Sequence, residues 1–94
     1  MTTILSKMRF SLGKVVITRH ALDVLPPDDV WKALSRHSRG DWGDLCNFDW
    51  EQNDQALIYE ARLLSRYVDR NGVCFWIITE WDRSVTTILL PEDY

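Results

Sequence analysis

The sequence predicts an α+β domain: a three- or four-stranded antiparallel sheet, mainly a C-terminal β-meander, packed on one face by two main helices. Three observations carry that expectation. The last third holds three runs rich in β-branched and aromatic residues, 63–69, 73–80 and 85–90, with Asn71-Gly72 between the first two. A short β-branched run, Lys14 to Thr18, stands near the start. Between these lie stretches with helical spacing and helix-boundary residues.

Thr18 is suited to cap a short helix over 19–25, which Pro26-Pro27 ends. Pro27 fits the first turn of the next helix, with Asp28 and Asp29 at its positive end. That helix is expected to run to about His37, with Val30 and Leu34 at i,i+4 beside Trp31 and Ala33 as its apolar stripe and Gly40 as its stop. A third helix is expected over about 44–60, with Cys46, Trp50, Asn53, Leu57 and Ala61 along one row and Phe48, Ala56 and Tyr59 on a neighbouring one.

In the meander, Asn71-Gly72 reads as a two-residue turn flanked by Arg70 and Val73. That register sets Tyr67 against Trp76 and Ser65 against Ile78. The second hairpin, closed across 81–84, sets Trp76 against Leu89 and Ile77 against Ile88. Both faces come out apolar: Tyr67, Trp76, Ile78, Val85 and Leu89 on one, Leu64, Val68, Phe75, Ile77, Ile88 and Leu90 on the other. Strands apolar on both sides are normally covered on both. The second face therefore calls for a second subunit, a partner, or the first helix folded over it.

The 94 residues make a single domain, 1–94, whose small core relies on five Trp, three Tyr and three Phe. No apolar run reaches the roughly 18 residues of a membrane span, and the first residues lack a secretory signal, so a soluble, cytoplasmic protein with no membrane partner is expected. Cys46 and Cys74 form no CxxC pair and are expected to be reduced, Cys74 buried in its strand. His37, Asp41 and Asp44 have no metal-ligand spacing, and no nucleotide- or metal-binding motif occurs, so neither metal nor cofactor is expected.

The net charge of −3 conceals a dipolar chain. Residues 1–40 carry seven Lys/Arg against three Asp, whereas 41–60 carry six carboxylates and no Lys or Arg. Aromatics interleave with those carboxylates. Aromatics supply affinity and charges supply steering, which makes Asp41, Trp42, Asp44, Asp49, Trp50, Glu51 and Asp54, with Trp81, the candidate partner-binding residues. The plainer reading is a helix with an acidic solvated side. Either way the segment repels phosphate, so direct nucleic-acid binding is not expected. A catalytic alternative is a small metal-independent, toxin-like ribonuclease with His37 as general base and Arg36, Arg39 and Arg83 holding phosphate. Positive side chains also simply favour a helix C-terminus. Asn53 reads as a buried hydrogen-bonding hub.

Ile17-Thr18, Arg36-His37, Gly40-Asp41-Trp42-Gly43 and Asn53-Asp54 recur in a recognisable order. With them go Trp76-Ile77-Ile78-Thr79-Glu80, Asp82-Arg83-Ser84-Val85-Thr86-Thr87 and Leu89-Leu90-Pro91-Glu92. From about Gly13 onward the chain thereby resembles a family of short uncharacterised proteins of bacterial plasmids, phages and integrated elements. The resemblance implies a genetic setting rather than a mechanism. Trp50 and Trp81 depart from the family pattern, which has polar or small residues there, and so look like acquired contact residues. The leading expectation is a non-enzymatic, mobile-element-encoded protein that binds and inhibits a host protein or nucleoprotein complex, such as a nucleic-acid-binding defence machine of the kind anti-CRISPR or anti-restriction proteins target. The ribonuclease is the runner-up. A homodimeric regulator using the second sheet face is the third reading.

Overall fold

The computed structural model describes residues 8–94. Its elements are β1 (Lys14–Ile17), α1 (Arg19–Val24), α2 (Pro27–Ser38), α3 (Asn47–Tyr59), β2 (Leu63–Val68), β3 (Cys74–Thr79), β4 (Val85–Leu89) and a closing 3-10 turn, Pro91–Asp93. The strands form one α+β sheet in the order β1-β4-β3-β2. β2, β3 and β4 are the expected antiparallel meander, while β1 lies parallel to β4, so the sheet is mixed. A parallel pair needs a long crossover, which the helices and first hairpin supply.

The local signals act as expected at several boundaries. Thr18 Oγ1 accepts the Ala21 N–H at 3.1 Å and caps α1. Asp28 and Asp29 sit in the first turn of α2 and Arg36 in its last, each matched to the helix dipole. Helix α3 begins at Asn47, later than expected, because the chain before it is tied to β2. The Arg66 N–H donates to the Trp42 carbonyl (3.1 Å) and the Asp44 N–H to the Arg66 carbonyl (2.6 Å), a parallel bridge centred on Gly43. Gly43 has φ +79°, and a Cβ there would overlap the Arg66 carbonyl oxygen.

The first hairpin corrects the expected register by one residue. Its loop has three residues, Arg70-Asn71-Gly72, closed by the Asp69 N–H donating to the Val73 carbonyl at 2.9 Å. The Asp69 carboxylate accepts the N–H groups of Asn71 and Val73, both at 2.8 Å, and Gly72 takes φ +84°. Tyr67 therefore faces Phe75, Ser65 faces Ile77, and Arg66 faces Trp76. The second hairpin has the expected pairs Trp76–Leu89 and Ile77–Ile88.

A one-residue slip moves every β2 side chain to the opposite face. The inner face carries Leu63, Ser65, Tyr67, Phe75, Ile77, Thr79, Thr86 and Ile88. Ala21 and Leu25 of the α1 region and Ala33 and Leu34 of α2 join its core. Each of Phe75, Ile77 and Ile88 is at most 2% exposed, and each such burial stabilises by about 1.5–3 kcal/mol. The first helix thus lies in the inner core and does not fold over the second face. That face is partly covered by the C-terminal segment. Tyr94 stands edge-on to Trp76 (5.8 Å between centroids), and Arg62 stacks on Tyr94 and donates to its hydroxyl at 2.7 Å. Ile78 and Leu89 are buried there while Trp76 stays half-buried and Val68 exposed. Both cysteines are free, and Cys74 is half-buried rather than buried. No helix of the described residues is long and apolar enough to cross a membrane.

Candidate binding surface

Polar clamps, rather than an apolar stripe, hold α3. Asn53, its only buried residue, donates from Nδ2 to the Leu64 carbonyl and accepts the Leu64 N–H at 3.1 Å, so one side chain satisfies the edge of β2 as a neighbouring strand would. Asp54 accepts the Trp42 indole N–H at 2.9 Å. At the other end, the Arg83 guanidinium donates to the carbonyls of Ala61 (2.6 Å) and Ala56 (3.1 Å), placing a cation on the negative end of the helix. Trp50, Ala56 and Leu57 are half-buried on the inward side.

The outward side follows by helical arithmetic. With Asn53 facing in, the positions opposite it at 100° per residue are Phe48, Glu51, Gln55 and Ile58, with Tyr59 alongside. Phe48 and Ile58 are each 69% exposed and Tyr59 75%. Asp49, Glu51, Asp54 and Glu60 are exposed too, and none makes an ion pair with another described residue. Trp81, 63% exposed in the β3–β4 turn, shares a surface cleft with Leu57 and Glu60, extending the surface past the C-terminus of α3.

The expected binding residues divide accordingly. Glu51 lies on this surface, with Asp54 and Trp81 beside it, whereas Asp49, though exposed, lies one turn before Asn53 on the side toward Leu64 of β2. Trp42 is fully buried, edge-on to His37 (5.6 Å) and stacked on Phe10 (6.1 Å), and belongs to the core. Trp50 lies on the half-buried inner side. Asp41 is engaged by Arg36 through two bonds (2.8 and 3.2 Å), and that guanidinium first of all holds its carboxyl below the ordinary range. Asp44 pairs with Arg66 at 2.7 Å. Phe48, Ile58 and Tyr59, the most exposed apolar groups of α3, are the residues the sequence reading left out.

The catalytic alternative meets a different geometry. His37 is 0% exposed, and both ring nitrogens are taken: Nδ1 by the Ser65 hydroxyl, Nε2 by Thr79 Oγ1 at 2.9 Å. Thr79 meets Thr86 at 2.7 Å, and Thr86 donates to the Leu12 carbonyl at 2.7 Å. A carbonyl only accepts, and each hydroxyl has one proton, so the chain runs in one direction. Ser65 donates to Nδ1, Nε2–H donates to Thr79, Thr79 to Thr86, and Thr86 to Leu12. The chain fixes a proton on His37 Nε2, with Nδ1 accepting from Ser65, and burial keeps the ring neutral. Burial, and then the charge of Arg83, push its pKa down to about 3. A sealed imidazole with both nitrogens bonded reaches no substrate, which corrects its assignment as general base. The same bonds deny it to a metal, and Asp41 and Asp44 are spent on arginines. Arg36 is held by Asp41 over the Tyr67 ring (5.0 Å), Arg83 caps α3, and Arg39 is exposed at the end of α2. His37, Arg36 and Arg83 are thus engaged in separate structural contacts, and the four residues do not converge on one site.

No family model, curated protein or solved structure matches the chain.

Proposed function

We propose that the protein is a non-enzymatic binding protein that presents the outward side of α3, with Trp81, to a basic surface on a host protein or nucleoprotein complex. The observation that carries this reading is the joint exposure of Phe48, Ile58 and Tyr59 around Glu51 on one side of α3, with the exposed Asp49, Asp54 and Glu60 on its flanks, none of the four making an ion pair with another described residue. Apolar side chains this exposed contribute little to the core, and desolvating them on a partner supplies affinity. The carboxylates steer a basic partner and can occupy Lys/Arg groups that otherwise hold phosphate. A nucleic-acid-binding complex is the target class with such a surface, and inhibition follows if the acidic helix fills its groove. The mobile-element resemblance makes a host defence complex the first target to test.

The test is affinity capture from a host extract with wild type, Phe48→Ala/Tyr59→Ala, and Asp49→Lys/Glu51→Lys, followed by a nucleic-acid competition assay on what is captured. The aromatic pair should raise the dissociation rate, and the charge pair should slow association and flatten its salt dependence. Capture unchanged in both variants, at unchanged thermal stability, removes α3 as the binding surface.

A further inference from the structure

The two edges of the sheet are treated differently. Along β2, Asn53 satisfies Leu64 and the Trp42–Asp44 backbone satisfies Arg66, so that edge is closed over these two of its three outward-facing residues. Among the described residues, no strand pairs with the outer side of β1. The Lys14 N–H donates to Ser84 (2.9 Å) and the Thr18 N–H to Ile88 (3.0 Å). Backbone direction alternates along a strand, so Lys14, Val16 and Thr18 bond inward while the N–H and C=O groups of Val15 and Ile17 point away from the sheet. No proline or bulge blunts this edge, and Lys14 is its one charged residue.

We propose that β1 is a self-association edge: two copies pair β1 with β1 antiparallel about a two-fold axis at Val16, joining two four-stranded sheets into one of eight. The register is self-complementary. Val15 stands opposite the partner's Ile17, and the outward groups of these two residues exchange four backbone hydrogen bonds across the axis. Val15, 44% exposed in the single chain, gains an apolar neighbour, and opposed side chains project to the same face. Lys14 stands opposite the partner's Thr18. Within the chain the Thr18 hydroxyl donates to the Asp93 carboxylate at 2.7 Å, so the pairing brings the exposed Lys14 ammonium toward that carboxylate. This charge complementarity, repeated by symmetry, favours a second copy over an arbitrary extended peptide. An isologous contact also closes after two chains.

Two variants separate pairing from folding. Val15→Pro removes an N–H that β4 does not use, and proline is tolerated on such an edge. Lys14→Glu leaves the backbone intact and sets like charges across the interface. Sedimentation equilibrium of the full chain, from low to high micromolar concentration and at two salt concentrations, reads the association, with circular dichroism confirming the fold. The wild type should dimerise, Val15→Pro should be a folded monomer, and Lys14→Glu should weaken the dimer by about tenfold at low salt, or about 1.4 kcal/mol, with less effect at high salt. If Val15→Pro fails to fold, Lys14→Glu decides. A wild type that stays monomeric, a folded Val15→Pro that still dimerises, or a dimer unchanged by Lys14→Glu overturns the proposal.

Discussion

Below pH 6.5 an imidazole in the unfolded chain takes up a proton, whereas His37 in the folded domain stays neutral down to about 3. Protons therefore favour the unfolded state across that interval, and stability falls as the pH falls. Each pH unit between the two values removes about 1.4 kcal/mol. From pH 6.5, where the unfolded ring is half protonated, to 4.5 the loss is about 2 kcal/mol, and the complete shift is worth about 5 kcal/mol, against a total stability of about 5–15 kcal/mol for a domain. The lowered carboxyls of Asp29, Asp41, Asp82 and Asp93 lose their contribution only as the pH falls below about 3.8. His20, raised first of all by its hydrogen bond to Asp93, acts in the opposite sense: its contribution is complete below 6.5 and fades as pH rises through its raised value. The window between about pH 4.5 and 6 thus belongs mainly to His37.

Urea denaturation followed by tryptophan fluorescence, stepped through that window, measures the slope. His37→Gln has no titrating ring, so it should be less stable at pH 7 but nearly flat from pH 6.5 to 4.5. In the folded wild type, the ring nitrogen shifts of His37 should remain those of a neutral Nε2–H tautomer throughout. Equal wild-type stability at pH 7 and 4.5, or a His37 resonance titrating near 6.5, refutes the sealed network.

Two of the four positive-φ glycines should separate backbone strain from overlap. Gly72→Ala meets open space and should cost about 1–2 kcal/mol from the left-handed backbone alone. Gly43→Ala also drives a Cβ into the Arg66 carbonyl and the Tyr67 ring, so its denaturation midpoint should fall further; equal losses contradict the parallel bridge. Asn53→Leu should strip the Leu64 backbone of its partners, costing about 1–3 kcal/mol and opening the β2 edge, with light scattering to report any association. Arg83→Met should speed hydrogen exchange in the last turn of α3 without changing exchange in α2, and uniform acceleration would mean that Arg83 does more than cap α3.

The elements themselves were legible. Thr18, Pro27, Gly40 and the β-branched runs act through local chemistry, and their boundaries fall close to where that chemistry puts them. The first register is not legible from the turn alone, because Asn71-Gly72 by itself is the strongest two-residue turn signal. Asp69 was the competing signal: an Asp three residues before a Gly can bind the loop amides with its carboxylate, which lengthens the loop by one and turns β2 over. His37 likewise carries two competing signals. Its chemistry suggests catalysis, yet it continues the row of Val30, Ala33 and Leu34 that faces the core. Trp42 gave no local sign of burial, since its position depends on the bridge between Gly43 and Arg66. The parallel β1–β4 pair is a long-range contact, and no local pattern announces it.

The way α3 is anchored bears on what its outer side is for. A surface helix normally joins a domain by burying apolar side chains, and such a helix spends its large residues inward. Here the inward side offers one buried asparagine and three half-buried residues, while Phe48, Ile58 and Tyr59 face out. The attachment runs instead through hydrogen bonds at fixed points: Asn53 on Leu64, Asp54 on Trp42, and Arg83 on the last carbonyls. Directional bonds of this kind set the orientation of a helix without using up its aromatic surface. They also leave few of its residues to the core, so changes on the outer side should act on binding with little cost in stability. That separation fits the partner-facing role proposed for α3, whose exposed Phe48, Ile58 and Tyr59 are then available to a partner at little cost to the fold.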